Sequence, residues 1–449
     1  MELGQTMNRA AEHLRAGRLA EAEPLLRQVL ARTPHHAGAL HLLGCVAFQM
    51  RPPSEAEDLI RRAIALDPAQ AVFHTNLGLA LLVMGRKDDA IQAFRQSVKL
   101  WPEHPDANNE LGNVLCDVGQ FDEALDCFKR AAAARPGHAP SLFNLGTGWL
   151  RKALAAPPDQ DPSKAPAAQR RKDDLQEAVQ CLQRALALRS DDADSANNLG
   201  NALQALGRTD EAIAAWRRAA AVAPNPFAFL NLGRALCDQD RFDEALVAMQ
   251  NSLRLRPDQP ELCNNLGTLF RKTGQAEEAI AWFDRAIALQ PRHAMAHSNR
   301  LYSMYFHPNY DGPRILHEHR LWNEQMAQPL TRFAPHENDR SPRRRLRVGY
   351  ISPNFREHSE AFFIVPLLAN HDHRDFEIYC YSDVETPDAL AARLRSWADA
   401  WRSTAGMNDQ QAAELIRRDK IDVLVDLTLH MAGNRMYVFA RKPAPVQLT

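Results

Sequence analysis

The chain has 449 residues, a formal net charge of −1, and 45% hydrophobic against 24% charged residues. That length holds two or three domains, and the composition is that of a folded globular protein rather than a disordered one. Balanced charge gives no footprint for nucleic acid or an anionic membrane, and no apolar run has signal-peptide or transmembrane length, so cytoplasm is the expected location. From the N-terminus onward a single pattern returns. Its plainest copy is Ala71–Pro102, which reads as two helices. The first carries Asn76-Leu77-Gly78 and stops near Gly85. The second opens on Asp88 and Asp89, carboxylates suited to the positive end of a helix dipole, and places Ala90, Phe94 and Val98 on one face before Pro102 ends it.

The same marks recur every 34 residues, apart from one step of 33 and one of 54. Glycines stand at 44, 78, 112, 146, 200, 233 and 267, and small residues open the second helix from Ala22 to Ala279. A large apolar residue follows four places later, among them Phe94, Phe128, Trp216 and Phe283. A 34-residue helix–turn–helix with small–large complementarity is the signature of the tetratricopeptide repeat, in which units stack because one alone cannot bury its apolar face. Eight repeats and a capping helix over Ala294–Phe306 are expected to form a superhelix over residues 1–306. The long step is an insert, Ala153–Lys172, whose four prolines predict a mobile surface loop with a solvated basic run at Arg170–Lys172. Most of the seven cysteines, among them Cys45, Cys116, Cys127, Cys237 and Cys263, lie within the repeat helices. Without CxxC pairs they read as buried thiols in a reducing compartment, not as disulfides or a zinc site.

A connector covers 307–345, with an amphipathic stretch at Ile315–Met326, and beyond it the period changes. LRVGYISP from Leu346, Phe376–Ser382 and Ile421–Leu427 read as strands, with helical patterns at Glu360–Leu368, Asp388–Trp397 and Asp409–Arg418. Such alternation predicts a parallel, doubly wound sheet over 346–449. The sequence stops at APVQLT, beside or inside another strand, which leads to the expectation of an unfinished lobe with an open sheet edge.

Three features could carry function. Asn76, Asn144, Asn198, Asn231, Asn265 and Asn299 stand two places before the repeat glycine or its equivalent, in one file. An amide offers a donor and an acceptor to the backbone of any extended peptide, so the file reads as a polypeptide-binding line; taken singly, such an Asn only satisfies a local backbone group. Asn354–Ser359, with His358, follows the first strand and precedes a helix, where parallel folds collect ligands and where a helix N-terminus favours a neutral imidazole. Asp426–His430 ends the buried strand, where Asp426 could equally cap a following helix. His317/His319 and His371/His373 lack a metal-ligand set and are assigned to the surface.

The repeats with their asparagines, followed by LRVGYISPNFREHS, FEIYCYSDVETPDALAARLR, IDVLVDLTLHMAGNR and FARKPAPVQLT, resemble the O-linked N-acetylglucosamine transferases, the bacterial members above all. The resemblance implies an all-α repeat superhelix followed by part of a two-lobed, Rossmann-like glycosyltransferase. Such enzymes move N-acetylglucosamine from its uridine diphosphate donor to a Ser or Thr of a protein, without a metal, while the repeats hold the acceptor. His358 matches the family's active-site histidine, and His430 the histidine of its D-L-x-G-H-T-like motif. Leu429 and Met431 depart from that motif, standing where it has Gly and Thr. The family's second lobe, with the donor site and the lysine that stabilises the leaving phosphate, has no counterpart before Thr449. The chain by itself is therefore expected to transfer no sugar. Two other readings stay open here: a non-catalytic scaffold that binds partner proteins, and a related enzyme that transfers fucose.

Overall fold

Helix pairs begin at Glu2–Arg15 and Leu19–Arg32 and continue in register through Ala276–Leu289 and the single helix Ala294–Met304. The structure, a computed structural model, describes residues 2–155, 165–331, 335–341, 343–384 and 386–449. Two compact units are present, one built from residues 2–155 with 173–208 and the other containing Thr209–Thr449. The last repeats thus share a unit with the connector and the sheet.

Within a pair, glycine and the large residue meet directly. A Cβ on Gly78 would stand 2.5 Å from the Phe94 ring, and one on Gly112 2.5 Å from Phe128. Gly233 bears the same relation to Met249 (2.6 Å) and Gly267 to Phe283 (2.6 Å). The large side chain therefore seats first on the glycine of its own unit. Phe128 also reaches the next unit, where a Cβ on Gly148 would lie 2.9 Å away. Turns between the helices of a pair use a left-handed residue, as at Gly85 and Gly119, and Asp240 fills that place in one unit at φ 56°.

The insert differs from expectation. Helix Ala139–Ala155 continues past Ala153, and a helix of 24 residues runs Ala165–Leu188, so residues 165–172 are helical. Pro166 falls in the first turn, where no backbone N–H is needed. Residues 156–164, the remainder of the expected loop, lie outside the described residues.

In the second unit, helix Gly312–Trp322 and a π-helical turn Asn323–Ala327 lead from the repeats towards a five-stranded sheet. The strands are β1 (Leu346–Ser352), β2 (Phe376–Ser382), β3 (Ala400–Ser403), β4 (Val423–Asp426) and β5 (Val446–Leu448). All pairs are parallel, in the order β3-β2-β1-β4-β5. Alternation along β1 and β2 sends Val348, Tyr350, Ile378 and Cys380 to helices Ala361–Ala369 and Ala389–Arg395, and Ile351, Tyr379 and Tyr381 to helices Asp409–Arg418 and Met436–Ala440. Gly349 makes room for Tyr381, whose ring lies 3.0 Å from where a Cβ would be. Asp422 ties the connector to the sheet by accepting from Asn338 (2.7 Å) and Arg344 (2.6 Å). The β5 edge leaves Val446 and Leu448 about half exposed. No helix among the described residues is long and apolar enough to cross a membrane.

A candidate active-site cleft at the strand switch point

Strand order reverses between β1 and β4, and their carboxyl ends diverge there into two loops. Helices packed on opposite faces force the chain apart at such a point, so a crevice opens that backbone groups cannot fill. Pro353, Asn354, Arg356 and His358, with residues 431–433, line it from the sheet side. Arg271, Asn299 and Tyr302 line it from the last repeat helices, enclosing about 610 Å³. The histidine loop after β1 and the last of the spaced asparagines thus share one cleft.

The β1 loop is held from below. Ser352 donates to Glu360 Oε2 at 3.0 Å, and its hydroxyl accepts from the Asn354 N–H at 2.9 Å. Burial pushes the Glu360 carboxyl above its ordinary pKa, although hydrogen bonds from Ser352 and Asn354 oppose the shift. Its Oε1 is buried and has no partner. His358 is half-buried, and its Nδ1 accepts the Glu360 N–H at 3.3 Å, at the start of helix Ala361–Ala369. A neutral ring that accepts there carries its proton on Nε2.

The β4 loop is closed by Asp426. Its carboxylate accepts from the Thr428 hydroxyl (3.1 Å), the Leu429 N–H (2.6 Å) and the Thr449 hydroxyl (2.9 Å). Asp426 thus shapes the turn; no helix begins directly after it, the next being Met436–Ala440. Leu429 sits in that turn at φ 48°, a conformation in which a Cβ costs roughly 1–2 kcal/mol and glycine costs none. Its side chain is 45% exposed.

His430 is 3% exposed and turned away from the cleft lining. Its Nδ1 lies 3.2 Å from the Ser298 hydroxyl, and its ring packs 4.9 Å from both Trp322 and His319. Nε2 is buried without a partner, and desolvation lowers the ring's pKa to about 3, helped by His319. His319 is half-buried in this cluster and His371 is half-buried against the Tyr350 hydroxyl (2.9 Å), so neither is the surface histidine the sequence implied.

Arg435 had no motif to mark it. Its guanidinium reaches Asp383 at 2.6 and 2.9 Å, Asp409 at 3.0 Å, and the carbonyls of Met407 and Thr404. It thereby fastens the chain after β4 to the ends of β2 and β3. Burial opposes the charge, but the two carboxylates outweigh it and hold the pKa above the ordinary arginine value.

The asparagines bridge units. Asn76 Nδ2 donates to His41 Nε2 (2.7 Å), Asn144 to Asn109 Oδ1 (3.4 Å) and Asn299 to Asn264 Oδ1 (2.9 Å). In each case the partner lies 35 residues earlier, on the inner helix of the preceding unit. Asn198 makes the corresponding bond to Thr147 Oγ1 at 3.1 Å across the insert. Asn231 and Asn265 occupy the equivalent places in helices Pro226–Asp238 and Pro260–Lys272. No group of three or more His, Cys, Asp or Glu that could hold a metal occurs among the described residues.

Residues 325–449 match the model of Glycosyl transferase family 41, and tetratricopeptide-repeat models match 13–78, 75–139, 110–156, 168–207, 193–226 and 230–294. The chain carries a family 41 segment behind tetratricopeptide repeats. Curated proteins named as probable UDP-N-acetylglucosamine–peptide N-acetylglucosaminyltransferases are similar to it. SPINDLY of Arabidopsis thaliana is 34% identical over 166 residues, and SPINDLY of Solanum lycopersicum 32% over 167; both alignments cover 36% of this chain and 18% of the relative. SEC of Arabidopsis thaliana is 29% identical over 107 residues, 24% of this chain and 11% of that protein. The matched region thus spans less than a fifth of these relatives. Among solved structures, a mutant O-GlcNAc transferase of Thermobaculum terrenum is 30% identical with a TM-score of 0.46, covering 67% of this chain and 50% of that one.

Proposed function

We propose that this chain forms the acceptor side of a protein O-N-acetylglucosamine transferase. The repeats hold an extended polypeptide along the asparagines and deliver a Ser or Thr to the cleft at the β1–β4 switch point. UDP-N-acetylglucosamine is the donor substrate in this reading, as the names of the relatives state for those proteins, and no metal is invoked. The observation that carries it is the shared cleft, in which Asn299 ends the asparagine file opposite His358. Each bridging amide spends one of its two N–H donors on the neighbouring unit, and its carbonyl oxygen still accepts from peptide N–H groups. His358 presents Nε2–H while Nδ1 faces Glu360, and so donates a hydrogen bond to the acceptor side. To take a proton at Nδ1 the ring would have to release that contact. All seven cysteines are free thiols, in keeping with a cytoplasmic setting.

The test is photo-crosslinking of the full chain with a peptide whose reactive group replaces the acceptor serine. Labelling of residues 353–358 or 428–433, lost when Asn231, Asn265 and Asn299 are together changed to Ala, is expected. Labelling confined to other surfaces refutes the reading.

A further inference from the structure

Among the described residues lining the cleft, Arg271 is a half-buried cation that the protein leaves without a carboxylate partner. It stands at the end of helix Pro260–Lys272, and its guanidinium lies 5.4 Å from the ring centroid of Tyr302. Its Nε is buried with no hydrogen-bond partner. Elsewhere in the last repeats an arginine at such depth is paired: Arg300 meets Asp284 and Glu318. Arg271 has no carboxylate within ion-pair distance among the described residues. Burial alone draws its pKa below the ordinary value, with Tyr302 and Cys237 opposing weakly. Across the cleft, Arg356 is exposed and likewise has no acid partner among the described residues, whereas Asp383 is neutralised by Arg435. The cleft is therefore left with net positive charge on both walls.

A partly buried guanidinium whose Nε has no partner and whose charge has no counter-ion is costly to the folded protein and useful to an anion that arrives. Arg271 shares its wall with Asn299, so a chain bound along the asparagines passes it on entering the cleft. The planar fork of arginine fits a carboxylate through two parallel hydrogen bonds. We propose that Arg271 recognises a carboxylate of the bound polypeptide, so that the cleft selects acceptor segments with an acidic residue beside the reacting hydroxyl. This rests on the reading of the cleft as the acceptor site.

The test is fluorescence anisotropy of the full chain with two labelled peptides, identical except for Glu or Gln at every position flanking a central Ser. The Glu peptide is expected to bind about 10-fold or more tighter at low salt, the range of a charge-assisted pair. Arg271→Met removes the difference and leaves the Gln peptide's affinity in place, while Arg271→Lys keeps part of it. Because the lost cation is an unpaired one, Arg271→Met unfolds at no lower temperature than the parent; a clear drop means a structural role and overturns the proposal. Equal binding of both peptides by the parent overturns this inference and leaves the acceptor reading standing. Failure of both peptides to bind at all overturns this inference and the acceptor reading alike. If Arg271-dependent binding is seen for inorganic diphosphate but not as a Glu preference, the anion is a phosphate and the proposal falls.

Discussion

Replacing Arg435 by Met is expected to destabilise the sheet-bearing unit by about 3 kcal/mol. The figure follows from what the substitution strands. Asp383 has a side chain only 9% exposed and loses both of its short contacts, while the carbonyls of Met407 and Thr404 lose their donor. Removing one partner of a buried ion pair costs roughly 3–5 kcal/mol, because the remaining charge stays desolvated. The lower end applies here, since Asp383 lines the cleft and water can reach it. Urea denaturation followed by tryptophan fluorescence reads the effect. Arg435→Met combined with Asp383→Leu should recover most of the loss. A single-variant loss below about 1 kcal/mol, or a double variant no more stable than the single one, would refute the argument that Arg435 acts through its charge on Asp383.

Acid should weaken the second unit through His430. Its folded pKa near 3 lies below the unfolded value of 6.5, so the unfolded state binds the extra proton between those limits. Stability is complete above 6.5 and falls with pH, by about 2–3 kcal/mol near pH 4.5, and His430→Leu should flatten that slope in urea titrations. In the first unit His41, lowered to about 4 by burial, acts with the same sign. Gly112→Ala should cost about 1–2 kcal/mol by urea denaturation, because a Cβ 2.5 Å from a ring 1% exposed overpacks the unit by more than the alanine's helix propensity returns. A variant as stable as the parent would show that Phe128 can move aside.

Reading the chain alone goes far where a local rule sets the outcome. The 34-residue period, the glycine beside the large residue of a repeat and the strands β1, β2 and β4 follow from side-chain size and spacing, which any neighbourhood would enforce. Strand Ala400–Ser403 escapes that reading because four half-buried residues carry no period, and only pairing with β2 makes them a strand. Residues 165–172 escape it because the prolines of the insert mask a helix that starts beside one of them.

The candidate site residues divide along the same line. Spacing alone put the six asparagines in file and set His358 and His430 at the ends of strands. Only the folded chain decided that Asn76, Asn144, Asn198 and Asn299 bridge neighbouring repeats, that His430 turns into the Trp322 cluster, that Arg271 lines the cleft and that Arg435 holds Asp383 beside it. Those facts depend on which distant side chains arrive at one place and which water leaves it, and no local spacing encodes that.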